Sequence, residues 1–218
     1  MSIADKLRRD SQDIWRNINT HPFVAELYSG TLAKETFCFY VLQDYHYLVA
    51  AMRNFALIAA KAPSVPEMRA LIDILNLEAT SEFAGYENLL QRLGYTLRDA
   101  EQVESLPVTV SYSSFLLATS SLKSYAEAIT AVLPCFWSYA EIAAAYKDAL
   151  AGNDNSLYVE WGQVYLTEDY LRLVDKLKHL VNRAAEGVAY RKLHLVFQTA
   201  SQYEYWFWDA VYHKRGWP

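Results

Sequence analysis

Apolar residues recur every three or four positions along almost the whole chain, and no stretch shows a convincing strand-like alternation. This pattern predicts an all-α protein, a single-domain helical bundle over residues 1–218. Proline, glycine and small polar residues divide the pattern into separate helices. We expect helices over about 3–18, 24–28, 33–62, 67–93, 96–103, 109–121, 124–150, 158–165, 167–187 and 189–213.

Residues typical of helix ends stand at several of these boundaries. Ser2 is placed to cap the first helix, and Thr31 can cap the long third one. Gly30 and Gly94 each follow the last periodic residue of a helix, where glycine most often ends one. Thr167 precedes the penultimate helix and is expected to begin it.

The stretch 131–141 combines a long apolar pattern with reactive residue types. Pro134 has no N–H and crowds the carbonyl of Thr130, so we expect the helix to kink or restart there. A restart would place Cys135 at a helix N-terminus, where free N–H groups favour a thiolate. Tyr139 lies one turn further on, on the same face as the thiol.

A buried structural cysteine beside a helix kink explains the same motif, and on the motif alone this packing interpretation is preferred. Acidic residues at core-facing positions favour a functional interpretation over the packing one. Asp44 lies on the apolar face of the third helix, and Glu204 lies on that of the last helix. An unpaired buried carboxylate costs several kcal/mol or takes up a proton instead. Each acid could simply bond a neighbouring Tyr or Trp, but two acids and Cys135 on three core-facing helices favour a shared cavity.

Composition narrows the class of protein. The chain has 218 residues, 53% hydrophobic and 21% charged, which suits a well-filled globular interior. A net charge of −5 with no basic stripe argues against nucleic acid and anionic membrane as partners. The N-terminus shows no signal-peptide pattern, and two cysteines without close pairing suit a reducing cytoplasm.

Tyrosine is unusually frequent, with 17 residues alongside 9 Phe and 6 Trp, which could line a polar-tipped pocket or only fill the core. The five histidines show no metal-ligand spacing, so neither a metal nor a cofactor is expected.

At the level of whole motifs, the chain resembles the TenA family, known as thiaminase II or aminopyrimidine aminohydrolase, and its cysteine-bearing branch. The resemblance extends over essentially the whole sequence. The motifs that carry it are His21-Pro22-Phe23-Val24, Gly30-Thr31-Leu32, Gln43-Asp44-Tyr45, Tyr112, Pro134-Cys135 with Tyr139 and Glu141, Tyr158 with Trp161 and Tyr165, and Ser201 with Glu204, Tyr205, Phe207, Trp208 and Asp209.

This resemblance implies a fold like that of haem oxygenase and a homotetramer. It also implies hydrolysis of 4-amino-5-aminomethyl-2-methylpyrimidine to the 5-hydroxymethyl compound and ammonia, a reaction of thiamin salvage. Many relatives also cleave thiamin to that pyrimidine and a thiazole alcohol.

The resemblance also assigns roles to residues. Cys135 would add to the electron-poor ring carbon next to C5, and Glu204 would protonate a ring nitrogen. Asp44 would be the third catalytic residue, which holds the 4-amino substituent and itself lies close to the thiol. The remaining pocket residues would be Tyr112 and Tyr165 as hydrogen-bonding groups, with Tyr47 and Tyr139 positioning the ring and the thiol.

Two departures from the family pattern lie beside Tyr165 and make its role the least secure of these assignments. Gly162 replaces an apolar residue, and Leu166-Thr167 stands where a small residue and serine are common.

Two other classes of function remain to be weighed. A same-fold oxidase with a metal or redox cofactor would need a His-x-x-x-Asp-x-x-His stretch on a late helix, where residues 171–183 offer only Asp175 and His179. A non-catalytic, pyrimidine-binding regulatory protein would not need Cys135, Asp44 and Glu204 together.

Overall fold

The computed structural model describes all 218 residues, and it contains helices and no strands. The predicted all-α class is confirmed. The helices are α1 (Ile3–Asp10), α2 (Gln12–Asn19), α3 (Pro22–Ser29), α4 (Lys34–Ala60), α5 (Val65–Leu77), α6 (Phe83–Leu93), α7 (Leu97–Gln102), α8 (Pro107–Leu122), α9 (Tyr125–Ala145), α10 (Lys147–Ala151), α11 (Ser156–Val164), α12 (Glu168–Ala184) and α13 (Tyr190–His213), with a π-helical segment, Glu78–Glu82, joining α5 to α6.

Helix α9 lies at the centre and packs against α8, α12 and α13. It is long and apolar enough to cross a membrane by composition, but most of its surface is buried inside the fold, as expected of a core helix. Helix α4 packs against both α8 and α5. The three helices α4, α9 and α13 carry Asp44, Cys135 and Glu204, so the packing of the core decides how these groups meet.

Most predicted helix ends are confirmed. The Ser2 hydroxyl accepts a hydrogen bond from the N–H of Asp5, and the Thr167 hydroxyl accepts one from the N–H of Tyr170. Gly30 and Gly94 adopt the left-handed conformation, with φ of 82° and 88°. Thr31 does not cap α4, because that helix begins after Ala33 and has no side-chain cap.

Three of the predicted helices are interrupted. The helix expected over 124–150 ends at Ala145, and α10 begins at Lys147. The helix expected over 3–18 breaks at Ser11, because its halves dock on different partners: the N–H of Ala4 bonds Asn182 on α12, and the indole of Trp15 bonds Ser201 on α13. The helix expected over 67–93 contains the π-helical segment. Such segments add a residue to a turn and often occur at functional sites.

The expectation that the helix restarts at Pro134 is wrong. Helix α9 runs unbroken from Tyr125 to Ala145 with Pro134 inside it. An internal proline costs about 3 kcal/mol in an isolated helix. Here the buried packing around it and a capping box between Ser124 and Glu127 hold the helix together. Cys135 therefore lies in mid-helix, without the free N–H groups of a helix start.

Close packing explains why a glycine stands at position 162 on α11. A methyl group at its Cα would lie 3.0 Å from Leu150 Cδ1 and 3.2 Å from Tyr28 Cε1, and both side chains are buried. The glycine thus allows α11 to approach α3 and α10 closely. This contact fixes the helix that carries Trp161 and leads into Tyr165. Leu150 and Tyr28 fill the space that a larger residue at position 162 would need, which explains this departure from the family pattern.

We expect Gly162→Ala to lower the free energy of unfolding. Overpacking of a rigid core costs about 1–3 kcal/mol, which exceeds the gain in helix propensity of about 1 kcal/mol. Thermal unfolding should show this as a lower Tm. The matched control is Gly85→Ala on α6, where the added methyl meets nothing within 4 Å. That variant should be slightly stabilised, and equal Tm values for the two would contradict the packing argument.

Candidate active site

A cavity of about 190 Å³ lies between α4, the π-helical segment, α9, α12 and the end of α11. Its wall is largely apolar and aromatic, with carboxyl groups and one thiol as the reactive polar groups. No Lys, Arg or His contributes to the lining. The side chains on which the site depends are Tyr40, Asp44, Tyr47, Glu78, Ser81, Glu82, Cys135, Tyr139, Tyr165 and Tyr170.

Five of the seven residues expected from the sequence line this cavity: Asp44, Tyr47, Cys135, Tyr139 and Tyr165. The other two lie one layer deeper. Tyr112 and Glu204 are 2% and 4% exposed, and the tyrosine hydroxyl donates a 2.6 Å hydrogen bond to Glu204 Oε1. The Glu204 carboxyl is adjacent to Cys135, since each affects the other's proton affinity. The structure thus brings all seven residues to one place.

Glu204 is set up to exchange a proton near neutral pH. Burial raises the pKa of its carboxyl group to about 7, against the opposing effect of hydrogen bonding from Tyr112 and Cys135. A group with a pKa near the working pH can serve both as acid and as base.

The Asp44 carboxyl group also keeps its proton at pH values far above those at which an aspartate usually ionises. Burial, reinforced by the charges of Glu82 and Glu204, raises the pKa of its carboxyl group to about 8. It makes no hydrogen bond to another side chain that would offset this effect. Of the groups near the thiol, Asp44 can therefore take up a proton once it is ionised.

The Cys135 thiol is not activated in the free protein. Burial raises its pKa well above the ordinary value, and the Glu204 charge raises it further, whereas the Tyr47 hydroxyl lowers it. Mid-helix placement removes the helix-start dipole that the sequence suggested as one route to a thiolate. Proton transfer from the thiol to a nearby carboxylate is a second route to a thiolate, and the burial of Asp44 and Glu204 beside the cavity leaves it available.

Packed aromatic rings hold the site's tyrosines in place. The Tyr139 ring lies 4.8 Å from that of Tyr165 and 5.9 Å from that of Trp161. Its hydroxyl is 3.4 Å from the hydroxyl of Tyr40. Tyr47 packs against Tyr112 with ring centroids 5.2 Å apart. Rings fixed on several sides keep their hydroxyl groups at defined positions, as selective binding requires.

The cavity residues that the sequence did not predict include Glu78, Glu82 and Tyr170. A signal for the first was present, because Leu71, Ile74 and Glu78 share one face at helical spacing. The test that singled out Asp44 and Glu204 would also have singled out Glu78.

A second cavity, of about 360 Å³, adjoins the first and shares Asp44, Glu82 and Tyr165 with it. An ion pair between Arg92 and Glu160 lies in its wall. No three His, Cys, Asp or Glu side chains converge in an arrangement that could hold a metal ion.

The buried carboxyl groups should make stability fall as pH rises. Their pKa values of about 7 to 8 exceed the unfolded values near 4, so the folded state binds more protons between those limits. The associated stability is complete below about pH 4 and is lost as pH rises through 7 to 8. From pH 5 to 9 we expect a loss of at least about 2 kcal/mol. Chemical denaturation at each pH measures it.

Glu204→Gln should flatten this decline, since it removes one of the titrating groups. The exposed Glu186 offers a control with the same change of charge, and Glu186→Gln should leave the slope as it is in the wild type. A wild-type stability that rises from pH 5 to 9 would contradict the raised pKa values.

The chain is similar to known proteins over nearly its whole length. The model of the TENA/THI-4/PQQC family matches residues 8–214. A protein from Halalkalibacterium halodurans named aminopyrimidine aminohydrolase is 33% identical over 220 residues, which cover 100% of this chain and 98% of that protein. The structure of a TenA homologue from P. horikoshii OT3 superposes with a TM-score of 0.94 at 46% identity, covering 98% of this chain and 99% of that one.

A domain of unknown function with a heme oxygenase-like fold, from Shewanella denitrificans, superposes with a TM-score of 0.77 at 16% identity, over 96% of this chain and 92% of that one. This likeness confirms the expected fold and bears on nothing else. The family match covers nearly the whole chain. The protein belongs to the TENA/THI-4/PQQC family.

Proposed function

We propose that the protein is an aminopyrimidine aminohydrolase of thiamin salvage. It converts 4-amino-5-aminomethyl-2-methylpyrimidine and water to the 5-hydroxymethyl compound and ammonia. The observation that carries this proposal is the Cys135 thiol in the wall of a tyrosine-lined cavity, with the protonatable Glu204 carboxyl adjacent to it. The name of the relative from H. halodurans supports the substrate class.

The first step joins the thiol to the ring. Asp44, as a carboxylate, accepts the thiol proton, and Cys135 Sγ forms a bond to the electron-poor ring carbon next to C5. Glu204 gives its proton to a ring nitrogen, so the electron pair displaced from the ring is neutralised as it forms. Aromaticity is lost in this adduct.

The second step exchanges the substituent. The substrate's amine is bound as an ammonium group. The non-aromatic ring expels it from the exocyclic methylene, and the C–N electron pair leaves with the nitrogen as neutral ammonia. Water then forms the C–O bond to the methylene carbon and loses a proton to a carboxylate of the site. The ring nitrogen returns its proton, the S–C bond breaks, and the aromatic ring and the thiol are restored.

The remaining side chains bind and orient the ring. Asp44 lines the cavity and holds the 4-amino group, and Tyr47 and Tyr139, which line the same cavity as the thiol, position the ring. Tyr165 supplies a further hydroxyl to this cavity, and Tyr112 acts through its hydrogen bond to Glu204. A volume of about 190 Å³ suits one substituted ring.

Thiamin is proposed as a second substrate, cleaved by the same chemistry with the thiazole alcohol as leaving group. The support for it is the second cavity of about 360 Å³, which meets the first at Asp44, Glu82 and Tyr165. A two-ring molecule needs such an extension, whereas the aminomethyl compound does not.

We also propose that residues 1–218 form one domain that assembles as a cytoplasmic homotetramer. The buried apolar residues form one continuous cluster, which supports a single domain. Leu195 and Trp206 on α13 are 58% and 48% exposed and offer apolar area for subunit contacts. Cys38 and Cys135 are both free thiols, which suits a reducing compartment.

Replacing the nucleophile tests the proposal. Cys135→Ser should lower kcat for ammonia release from the aminomethylpyrimidine by at least about a thousandfold, because a hydroxyl is a far weaker nucleophile than a thiolate. A coupled ammonia assay measures this. The other cysteine provides the control: Cys38 lies outside the cavity, and Cys38→Ser should keep nearly full activity.

Unchanged turnover in Cys135→Ser would overturn the nucleophile assignment. Wild-type protein that binds the pyrimidine without releasing ammonia would favour a non-catalytic binding protein instead. Stoichiometric iron in purified protein would favour the oxidase alternative.

Tyr112→Phe should change the pH profile as well as the rate. The lost hydrogen bond is one that lowers the pKa of Glu204, so that pKa rises in the variant. Since Glu204 acts in its protonated form, the alkaline limb of kcat/KM should move up by about half a pH unit or more. An unshifted limb would mean that Glu204 is not the group that sets it.

A further inference from the structure

Glu78 is a buried carboxyl group that neither the fold nor the proposed chemistry uses so far. It is 8% exposed, and it lines the cavity. No hydrogen bond or ion pair with another side chain contributes to its proton affinity. It lies near Cys135, since its charge is among those that raise the pKa of the thiol.

The surroundings of Glu78 make its position costly. Burial, with the charges of Glu82 and Asp44, raises the pKa of its carboxyl group to about 8. Cys135 on α9 and Tyr170 on α12 line the same cavity, and neither can supply a positive charge. Two glutamates four residues apart on one helical segment also repel each other when ionised.

Burying a carboxyl group without a partner costs stability. When such a group lines a cavity, it indicates a ligand-binding site. The ligand must be positively charged, because the wall offers several carboxyl groups and no cationic side chain. A metal ion does not fit, since no three of these groups converge as ligands would. An organic cation with N–H donors remains.

We propose that Glu78, assisted by Glu82, is the leaving-group subsite: its carboxylate binds the ammonium of the substrate's aminomethyl group beside Cys135. This inference rests on the proposed function and extends it by naming which residues recognise the departing nitrogen.

The chemistry of the departing nitrogen explains why a carboxylate should be there. When the C–N bond breaks, its electron pair stays on the nitrogen. An ammonium leaves as neutral ammonia, whereas an unprotonated amine would have to leave as an amide anion. A carboxylate that pairs with the ammonium stabilises the protonated form and so keeps the better leaving group in place.

The test compares two ligands that differ in charge at one substituent. Binding of the aminomethylpyrimidine and of the neutral hydroxymethylpyrimidine is measured by calorimetry in the Cys135→Ser background, with and without Glu78→Gln. The hydroxymethyl compound is also measured with wild-type protein, which does not consume it. Glutamine has the shape of the protonated glutamate that the free protein holds at neutral pH, so the variant should fold.

Glu78→Gln should weaken binding of the aminomethyl compound by at least about tenfold, since it removes one partner of a buried charge pair. Binding of the hydroxymethyl compound should change by less than about threefold, because that ligand carries no charge. Glu78→Asp should recover part of the loss, and the exposed control Glu186→Gln should affect neither ligand.

An equal loss for both ligands would show that Glu78 only shapes the cavity, and no loss for either would show that it does not contact the nitrogen. Each result overturns the leaving-group subsite and leaves the proposed function standing. If wild-type protein fails to bind the hydroxymethyl compound and Cys135→Ser fails to bind either, the proposed function fails and the subsite with it.

Discussion

Burial of carboxyl groups without a cationic partner is the constraint on which the arrangement of this cavity depends. Asp44, Glu78 and Glu204 come from different helical segments, and no Lys, Arg or His lines the cavity that the first two line and that Glu204 lies behind. Burial removes these groups from the solvent that would stabilise their charges, so it raises the pKa of each carboxyl group above its usual range. The site therefore combines several protonated carboxyl groups with a thiol.

The scaffold can hold this costly arrangement because its framework is aromatic and continuous. Rings of Tyr139, Trp161 and Tyr165 pack against one another, and the close approach of α11 at Gly162 fixes two of them. Tyr112 is held between Tyr47 and Tyr203, so its hydroxyl reaches Glu204 at 2.6 Å. Rigid neighbours prevent the carboxyl groups from turning toward solvent, which would be their lower-energy choice in a softer core.

Periodicity predicts the all-α class, cap residues predict most helix ends, and motif resemblance predicts the seven site residues. Each of these signals is present in the local sequence. Two features could not be predicted in this way. Pro134 favours a break by local rules, but burial of α9 on several sides outweighs that preference. The π-helical segment depends on how α5 and α6 pack, so its consequence, Glu78 in the cavity wall, follows from tertiary structure even though its core-facing spacing was visible.

The thiol shows how these two features are connected. A helix start at Pro134 would have activated Cys135 permanently, whereas mid-helix burial among carboxyl groups keeps it protonated until the electrostatics of the cavity change. In the proposed reaction, a cationic substrate brings that change. Its positive charge lowers the pKa of Glu78 and Asp44 first, and an ionised Asp44 can then accept the thiol proton. On this account the cation that activates the thiol is part of the substrate, so a reactive thiolate forms only when there is a ring for it to attack.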